Sequence, residues 1–195
     1  VALWVNWETL QARRLPRLAL FGALLLATPL AALLVGVRLP GEMPQPYMPI
    51  EPNAPALMFF AALPWVLAAG ALGRISSASL GLLSGLFVAL TETHNPFTPL
   101  LIGLLALMFA SAVRQRYRTP FYRLLRHPLA AALLVSLPFA ALVMVSGFFQ
   151  VNGDLAVRLD YAITKTWPFI LARCLELVVA ALFAEGILLA RIRLW

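Results

Sequence analysis

Charged side chains, cysteine and histidine are all scarce in this sequence of 195 residues. Charged residues make up 12% of the chain and hydrophobic residues 62%, whereas soluble domains average about 25% and roughly 45–50%. One domain of this length cannot bury so much apolar surface in a single aqueous core. The composition therefore excludes a soluble enzyme, a disordered segment and a coiled coil, and it predicts that lipid surrounds most of the chain.

The few reactive residues give no catalytic pattern. Cys174 is the single cysteine, so the chain forms no internal disulfide and offers no cysteine-based metal site. The two aspartates, Asp154 and Asp160, fall in a predicted outer loop, and no phosphate-binding or metalloprotease motif occurs. We therefore predict no enzyme activity, no metal and no cofactor.

Six apolar stretches approach the roughly 20 residues that a membrane-spanning helix needs. They cover residues 18–37, 54–72, 77–90, 97–113, 128–149 and 167–190. We predict an all-α polytopic membrane protein, a six-helix transmembrane bundle in which 1–195 form a single transmembrane domain. Two connections are long, 39–53 and 150–166, and both are predicted as outer loops.

The arginines predict the orientation of this bundle. With a cytoplasmic N-terminus, eleven basic residues fall inside and three outside, the bias that cytoplasmic loops carry. We therefore predict N-in/C-in topology in the cell inner (plasma) membrane of a bacterium. Residues 1–17 are predicted as a cytoplasmic amphipathic segment and 114–127 as a basic cytoplasmic loop. The net charge of +7 comes from arginines between apolar runs, so nucleic acid is not a predicted partner.

Three features predict contacts with other helices or partners. Small residues recur in the first span at Ala19, Ala23, Ala27 and Ala31, and in the third at Ser77, Gly81, Ser84 and Gly85. Such stripes let helices approach closely, although chance spacing competes in a chain so rich in alanine. The basic loop, through Arg116, Arg118 and Arg123, is predicted to dock a cytoplasmic partner or anionic headgroups. The alternative is that these arginines only set orientation.

Ionisable groups inside predicted spans are costly, and they are candidates for function. Arg173 and Glu176 lie three residues apart and share a helix face. The segment 91–96 closes the short third span and must dip into the membrane for that span to cross. We predict that Glu92, or the turn at His94 and Asn95, contacts Arg173. Ligand binding is therefore assigned to Glu92, His94, Asn95, Arg173 and Glu176, with Trp65 and Trp167 as aromatic walls. The alternative is an ion pair that only fixes helix register.

At the level of topology, the chain resembles two families. Six short spans, both ends inside, a proline-rich outer loop and the alanine stripe of the first span resemble the substrate-binding S-components of energy-coupling-factor transporters. The resemblance implies that the stripe docks a transmembrane coupling subunit. The stretch 81–128, with Glu92-Thr93-His94-Asn95-Pro96 and Arg114-Gln115-Arg116-Tyr117-Arg118, resembles the multi-span sensor modules of bacterial signalling proteins.

Two functions follow from these patterns. The first is an integral membrane module that binds a small molecule in its outer half, for transport (uptake) or for signalling (sensing). The second is a structural or scaffolding subunit of a larger membrane complex. The expected partners are the lipid bilayer and other membrane or cytoplasmic subunits, or a C-terminal output domain following Trp195.

Overall fold

The structure is a computed structural model that describes residues 5–33, 36–38, 56–115 and 119–189, and this part of the chain is mostly helical. A short two-stranded antiparallel sheet pairs β1 with β2. The helices are α1 (Val5–Leu33), α2 (Leu63–Ala71), α3 (Arg74–Val88), α4 (Thr98–Val113), α5 (Pro120–Leu124), α6 (Pro128–Gln150), α7 (Leu155–Thr164) and α8 (Trp167–Leu189), the strands are β1 (Gly36–Arg38) and β2 (Ala56–Met58), and a π-helical turn, Ala89–Thr93, follows α3.

Among the described residues, three helical segments are long and apolar enough to cross a membrane. They are Leu15–Leu33, Arg74–Thr93 and Pro128–Gln150, with mean hydropathies of 1.6, 1.4 and 2.3. The second includes the π-helical turn, which extends α3 to 20 residues. Helix α4 is apolar but shorter, and α8 is 23 residues long but carries three charged side chains. The prediction of a mostly helical chain is thus confirmed, and three of its segments have the length and composition of membrane spans.

The second predicted span, 54–72, is not one helix. Strand β2 and a turn precede α2, which has nine residues and extends about 14 Å at 1.5 Å per residue. Pro64 lies in the first turn of α2, where the missing N–H breaks no helical hydrogen bond. Pro29 and Pro138, in contrast, lie inside α1 and α6. The apolar stretch therefore divides into a strand and a short helix at its proline.

Helices α3 and α4 pack with almost no space between their backbones. A Cβ atom on Gly81 would lie 2.5 Å from the Cβ of Ala106, and one on Gly85 would lie 2.7 Å from the Cα of Pro99. Real Cβ atoms do not approach so closely, so only glycine fits at either position. The close packing predicted for the small residues of the third span is confirmed.

The serines of the same stripe tie α3 to the segment that contains α2. The Ser77 hydroxyl donates to the carbonyl of Trp65 at 2.8 Å, and the Ser84 hydroxyl donates to the carbonyl of Ala61 at 3.1 Å. The two serines and the two residues whose carbonyls accept from them are all buried. Around them lies a core whose largest fully buried apolar side chains are Trp65, Phe109, Phe139, Leu80, Leu105 and Leu177.

The alanine stripe of α1 is only half covered. Ala19 and Ala23 are exposed, whereas Ala27 is half-buried and Ala31 is buried. Helix α1 instead buries Leu24, Thr28 and Ala32, a face displaced from the stripe by about one residue. The described part of the chain therefore leaves the first two alanines open to lipid or to another protein.

Contacts between helix ends define the two ends of the bundle. At one end, which we call the arginine-rich end, Arg114 after α4 lies beside Gly73 before α3, and His127 before α6 pairs with Glu185 of α8 at 2.9 Å. At the opposite end, Thr93 after α3 bonds to Thr98 of α4 at 2.7 Å. Neighbouring helices therefore alternate in direction.

The position of Glu185 near the end of the sixth predicted span leads the sequence to predict Arg74 or Arg191 as its partner. It pairs with His127, not with Arg74, and the other predicted partner, Arg191, lies outside the described residues. The two positions meet because α6 begins where α8 ends.

Two of the three predicted connections contain a helix, and the third lies outside the described residues. Residues 150–166 contain α7, so this predicted outer loop is largely helical. Residues 114–127 contain the short helix α5. The predicted outer loop 39–53 lies outside the described residues. The predicted amphipathic segment 1–17 is described from Val5, where it is continuous with the first span in α1.

Candidate functional site

Arg173 is buried between two carboxylates. The side chain is 2% exposed; its Nη1 lies 2.8 Å from Oε2 of Glu176, and its Nη2 lies 3.7 Å from Oε2 of Glu92. The predicted contact between Arg173 and Glu92 is therefore confirmed, and Glu176, the local candidate, contacts Arg173 as well. The guanidinium also stacks over the ring of Phe169 at 5.4 Å.

The same two side chains of α8 hold the edge of strand β2. Arg173 Nη2 donates to the carbonyl of Ala56 at 2.6 Å, and the N–H of Met58 donates to Oε1 of Glu176 at 2.6 Å. Residues two apart in a strand direct their backbone groups to the same edge. The other edge faces β1, where Leu57 pairs with Val37. The Arg173–Glu176 pair thus takes the place that a third strand would occupy.

This arrangement provides hydrogen-bond partners for backbone groups that would otherwise be unsatisfied inside an apolar bundle. A strand edge without partners leaves N–H and C=O groups unsatisfied, which costs several kcal/mol for each group in a lipid-like environment. Arg173 supplies donors and Glu176 supplies acceptors, and each neutralises the other. The buried ion pair is therefore structural as well as electrostatic.

The π-helical turn brings Glu92 to this site. The N–H of His94 donates to the carbonyl of Ala89 at 2.9 Å, which closes the wide turn, and His94 then adopts a left-handed conformation with φ of 48°. Glu92 is 14% exposed within this turn. The tucked-in end predicted for the third span is therefore present, and π turns of this kind are frequent at functional sites.

A small cavity adjoins Arg173 and Glu176. It is lined by Trp65, Ser84 and other residues, and its volume is about 10 Å³, which is close to the minimum that one water molecule needs. The ion-pair site is therefore closed, and it has no room for an organic ligand in this conformation.

A larger cavity lies at the end of the bundle opposite the arginine-rich end, and Phe169 forms part of its wall. Its volume is about 160 Å³. The π-helical turn and helices α4, α6, α7 and α8 all contribute to its wall. Its polar lining comprises Thr93, Asn95, Thr98, Ser146, Gln150, Tyr161, Lys165 and Thr166, and its apolar lining comprises Leu101, Val143 and Phe169. We call this space the outer cavity, because it lies at the end of the bundle that the sequence predicts to face outward.

The predicted ligand-binding residues divide between these places. Glu92, Arg173 and Glu176 come together at the ion-pair site. Asn95 lines the outer cavity instead, where its Oδ1 accepts from the N–H of Phe97 at 2.9 Å. His94 is exposed.

The two predicted aromatic walls also differ. Trp65 is 2% exposed and lines the small cavity beside Arg173. Trp167 is 49% exposed at the start of α8, so it is not part of a wall.

The sequence interpretation missed two contributors to this region. Strand β2 was hidden because an apolar stretch next to a proline looks helical. Helix α7, which supplies Tyr161, was assigned to a loop. Its signal was the four-residue spacing of Leu155, Leu159 and Ile163, which lie exposed along one face, as in a helix that lies at a membrane surface.

The basic loop is partly described. Arg123 is exposed, whereas Arg116 and Arg118 lie outside the described residues. Arg114 has a structural task, because its Nη1 donates to the carbonyls of Gly70 and Ala69 at 3.0 and 3.3 Å. The guanidinium therefore satisfies carbonyls at the C-terminal end of α2.

Within the described ranges, no group of three or more His, Cys, Asp or Glu side chains is placed to hold a metal ion. Comparison of the chain with protein-family models, with curated proteins and with solved structures gives no match in any of the three.

Proposed function

We propose that this chain is an integral membrane module that binds a small polar molecule in the outer cavity, for uptake or for sensing. The observation that carries the proposal is the convergence of polar side chains from four elements and the connections beside them on one cavity of about 160 Å³. Apolar pockets with a few convergent polar groups are the usual form of small-molecule sites. In a chain that is 62% hydrophobic, such a concentration of polar groups is costly unless it serves a purpose.

The orientation proposed is N-in/C-in with six crossings of the inner membrane. The alternation of helix ends supports it, because Arg74, Arg114 and Arg123 all lie at one end of the bundle. Strand β2 and α2 together would make the second crossing. Irregular backbone at membrane depth is tolerated where protein covers it, and the Arg173–Glu176 pair covers β2.

A physical connection links the outer cavity to the ion-pair site. Thr93 and Asn95 line the cavity, and Glu92 of the same turn pairs with Arg173. Arg173 in turn holds Ala56. A ligand that moves the turn would therefore change the hold of α8 on β2, and this provides a route from occupancy to a change in helix packing.

The second candidate is a scaffolding subunit, and one observation favours it. Ala19 and Ala23 are exposed on α1, so a flat surface of small residues is available to a second membrane protein. An S-component or a sensor module would also use such a surface to pass its signal on. The two candidates therefore differ only in whether the outer cavity binds a ligand.

A thermal-shift screen in lipid nanodiscs tests the proposed function. The probes are small polar metabolites, and two variants accompany the native sequence. Ser146→Leu fills the outer cavity, and Ser136→Leu is its matched control on α6. Both serines are half-buried and bond to a carbonyl of their own helix at 2.8 Å, but only Ser146 lines the cavity.

We expect at least one compound to raise the Tm of the native protein and of Ser136→Leu but not of Ser146→Leu. A screen in which no compound separates the two variants would favour the scaffolding subunit.

A further inference from the structure

We infer that an open cavity at the arginine-rich end holds the headgroup of an anionic phospholipid. The lipid phosphate would lie between Arg74 and Arg114, and one acyl chain would run along helix α3. The cavity has a volume of about 630 Å³ and is lined by Leu72, Gly73, Arg74, Ile75, Ser76 and Arg114. We call this space the arginine groove. It lies at the end of the bundle opposite the outer cavity, so the lipid site is independent of the ligand proposed there.

The turn between α2 and α3 brings the two arginines together. Gly73 forms this turn with a φ of 124°, a conformation that glycine adopts without steric cost. The guanidinium of Arg114 lies against it, since Cζ and Nη1 would be 3.9 Å from a Cβ atom on Gly73. Arg114 is held there because Nη1 also donates to the carbonyl of Gly70 at 3.0 Å. Arg74 is the next residue after Gly73 and begins α3, so guanidinium groups from α3 and from the end of α4 line one groove.

The charge of the arginine groove favours a phosphate group. Arg74 and Arg114 are the charged side chains among the described residues that line it. A guanidinium presents five N–H donors in one plane, which match the oxygens of a phosphate two at a time. Because one partner uses only some of these donors, a phosphate adds to the contacts that each arginine already makes. Both side chains are exposed, so an anion reaches them without displacing any core residue.

The depth of the groove fits a lipid headgroup. Arg74 is the first residue of the apolar helical segment Arg74–Thr93, whose 20 residues extend about 30 Å at 1.5 Å per residue. The hydrocarbon core of a bilayer is also about 30 Å thick, so the groove lies where the headgroups begin. The orientation proposed above places it in the cytoplasmic leaflet, where basic pockets between helices bind anionic headgroups.

An apolar stripe on α3 favours a lipid over a soluble phosphate. Ile75, Leu82 and Leu86 are 83%, 42% and 45% exposed, and their spacing of seven and eleven residues from Ile75 places them on one helix face. Ile75 also lines the groove, so the stripe begins at the proposed phosphate site. It extends about 16 Å to Leu86, which is about half the thickness of the hydrocarbon core. The stripe therefore has the length of an acyl chain in one leaflet.

Native mass spectrometry of the full chain in neutral detergent tests the lipid site, because it counts bound lipids and gives a Kd for each. The probes are phosphatidylglycerol and phosphatidylcholine with identical acyl chains, and glycerol phosphate, which has none. Contacts between charged groups are the stronger ones, and choline offsets the phosphate charge. We therefore expect phosphatidylglycerol to bind about tenfold more tightly than phosphatidylcholine. An equal concentration of glycerol phosphate should not displace it, because glycerol phosphate has no chain to cover the stripe.

Two arginine variants at the same end of the bundle locate the site. Arg74→Gln removes one charge from the groove and should weaken the binding of phosphatidylglycerol about tenfold. Arg123→Gln is the matched control, because it removes the same charge at an exposed position that does not line the groove. At an ionic strength of about 0.15 M, where more distant charges are largely screened, the control should change the Kd less than about twofold.

Equal affinity for the two lipids, an equal effect of the two variants, or no lipid bound to the native chain would overturn the lipid site. Displacement of phosphatidylglycerol by an equal concentration of glycerol phosphate would overturn it as well, because the groove would then be a site for a soluble phosphate. None of these results bears on the outer cavity, which the thermal-shift screen tests separately.

Discussion

Removing the guanidinium of Arg173 should destabilise the protein more than any other single change to a charged residue. Arg173→Met keeps the approximate length of the side chain, so little space is created. It leaves Glu176, which is 4% exposed, without its cation. It also removes the donor at 2.6 Å from the carbonyl of Ala56. The first effect alone costs about 3–5 kcal/mol, and an unsatisfied carbonyl costs about 1–3 kcal/mol.

The two costs overlap, so we expect a loss of about 4–6 kcal/mol in the free energy of unfolding. The double variant Arg173→Met/Glu176→Gln should lose only about 1–3 kcal/mol. It buries no unpaired charge at this position, and the glutamine oxygen still accepts from the N–H of Met58. The double variant is therefore expected to be more stable than the single one.

Equilibrium unfolding in mixed detergent micelles measures these differences. His127→Gln is the control, because it changes a hydrogen-bonded contact with Glu185 in which the histidine side chain is 62% exposed, and exposed contacts of this kind contribute about 0–1 kcal/mol. If Arg173→Met lies within about 1 kcal/mol of the native protein, or if the double variant is the less stable one, the strand-edge argument is wrong.

Three further outcomes follow from the packing and the charge pattern. In detergent unfolding, Gly81→Ala should lower the free energy of unfolding by about 1–3 kcal/mol, because its Cβ would meet Ala106. Gly22→Ala, which has open space around it, should leave that free energy unchanged or raise it by up to about 1 kcal/mol. In a variant without the native cysteine, an impermeant thiol reagent added from outside should label Leu155→Cys but not Arg118→Cys; labelling at 118 would refute the N-in topology. Vesicle flotation should show weaker binding to anionic lipid, but not to neutral lipid, when three arginines are replaced by glutamine. They are Arg116, Arg118 and Arg123; unchanged flotation would leave the loop as an orientation signal only.

The parts of the site that could be predicted from the sequence are those in which rare residues interrupt a regular pattern. A charge inside an apolar run needs a partner, so Arg173 led to Glu92 and Glu176. Small residues at helical spacing predicted a close helix contact for the third span, and the structure shows that the partner is α4. In both cases the physical constraint is local, and the type of residue that satisfies it is uncommon in the chain.

The rest could not be predicted because hydropathy does not distinguish a helix from a strand. Residues 54–72 are apolar throughout, and their division at Pro64 depends on groups that satisfy the edge of β2. Those groups lie 117 and 118 residues away in sequence. The outer cavity was missed for a related reason, since Tyr161 belongs to a segment assigned to a loop. Neither of these contacts leaves a periodic signal along the chain.

The hold of α8 on β2 also has a consequence for biosynthesis. Ala56 emerges from the ribosome 117 residues before Arg173, a delay of about 6–23 s at a synthesis rate of roughly 5–20 residues per second. During that interval the edge of β2 has no intramolecular partner from α8, so the segment from β2 to α2 cannot reach its final packing. Folding must therefore tolerate an unpaired strand edge at Ala56 and Met58 until α8 has been synthesised and has bound it.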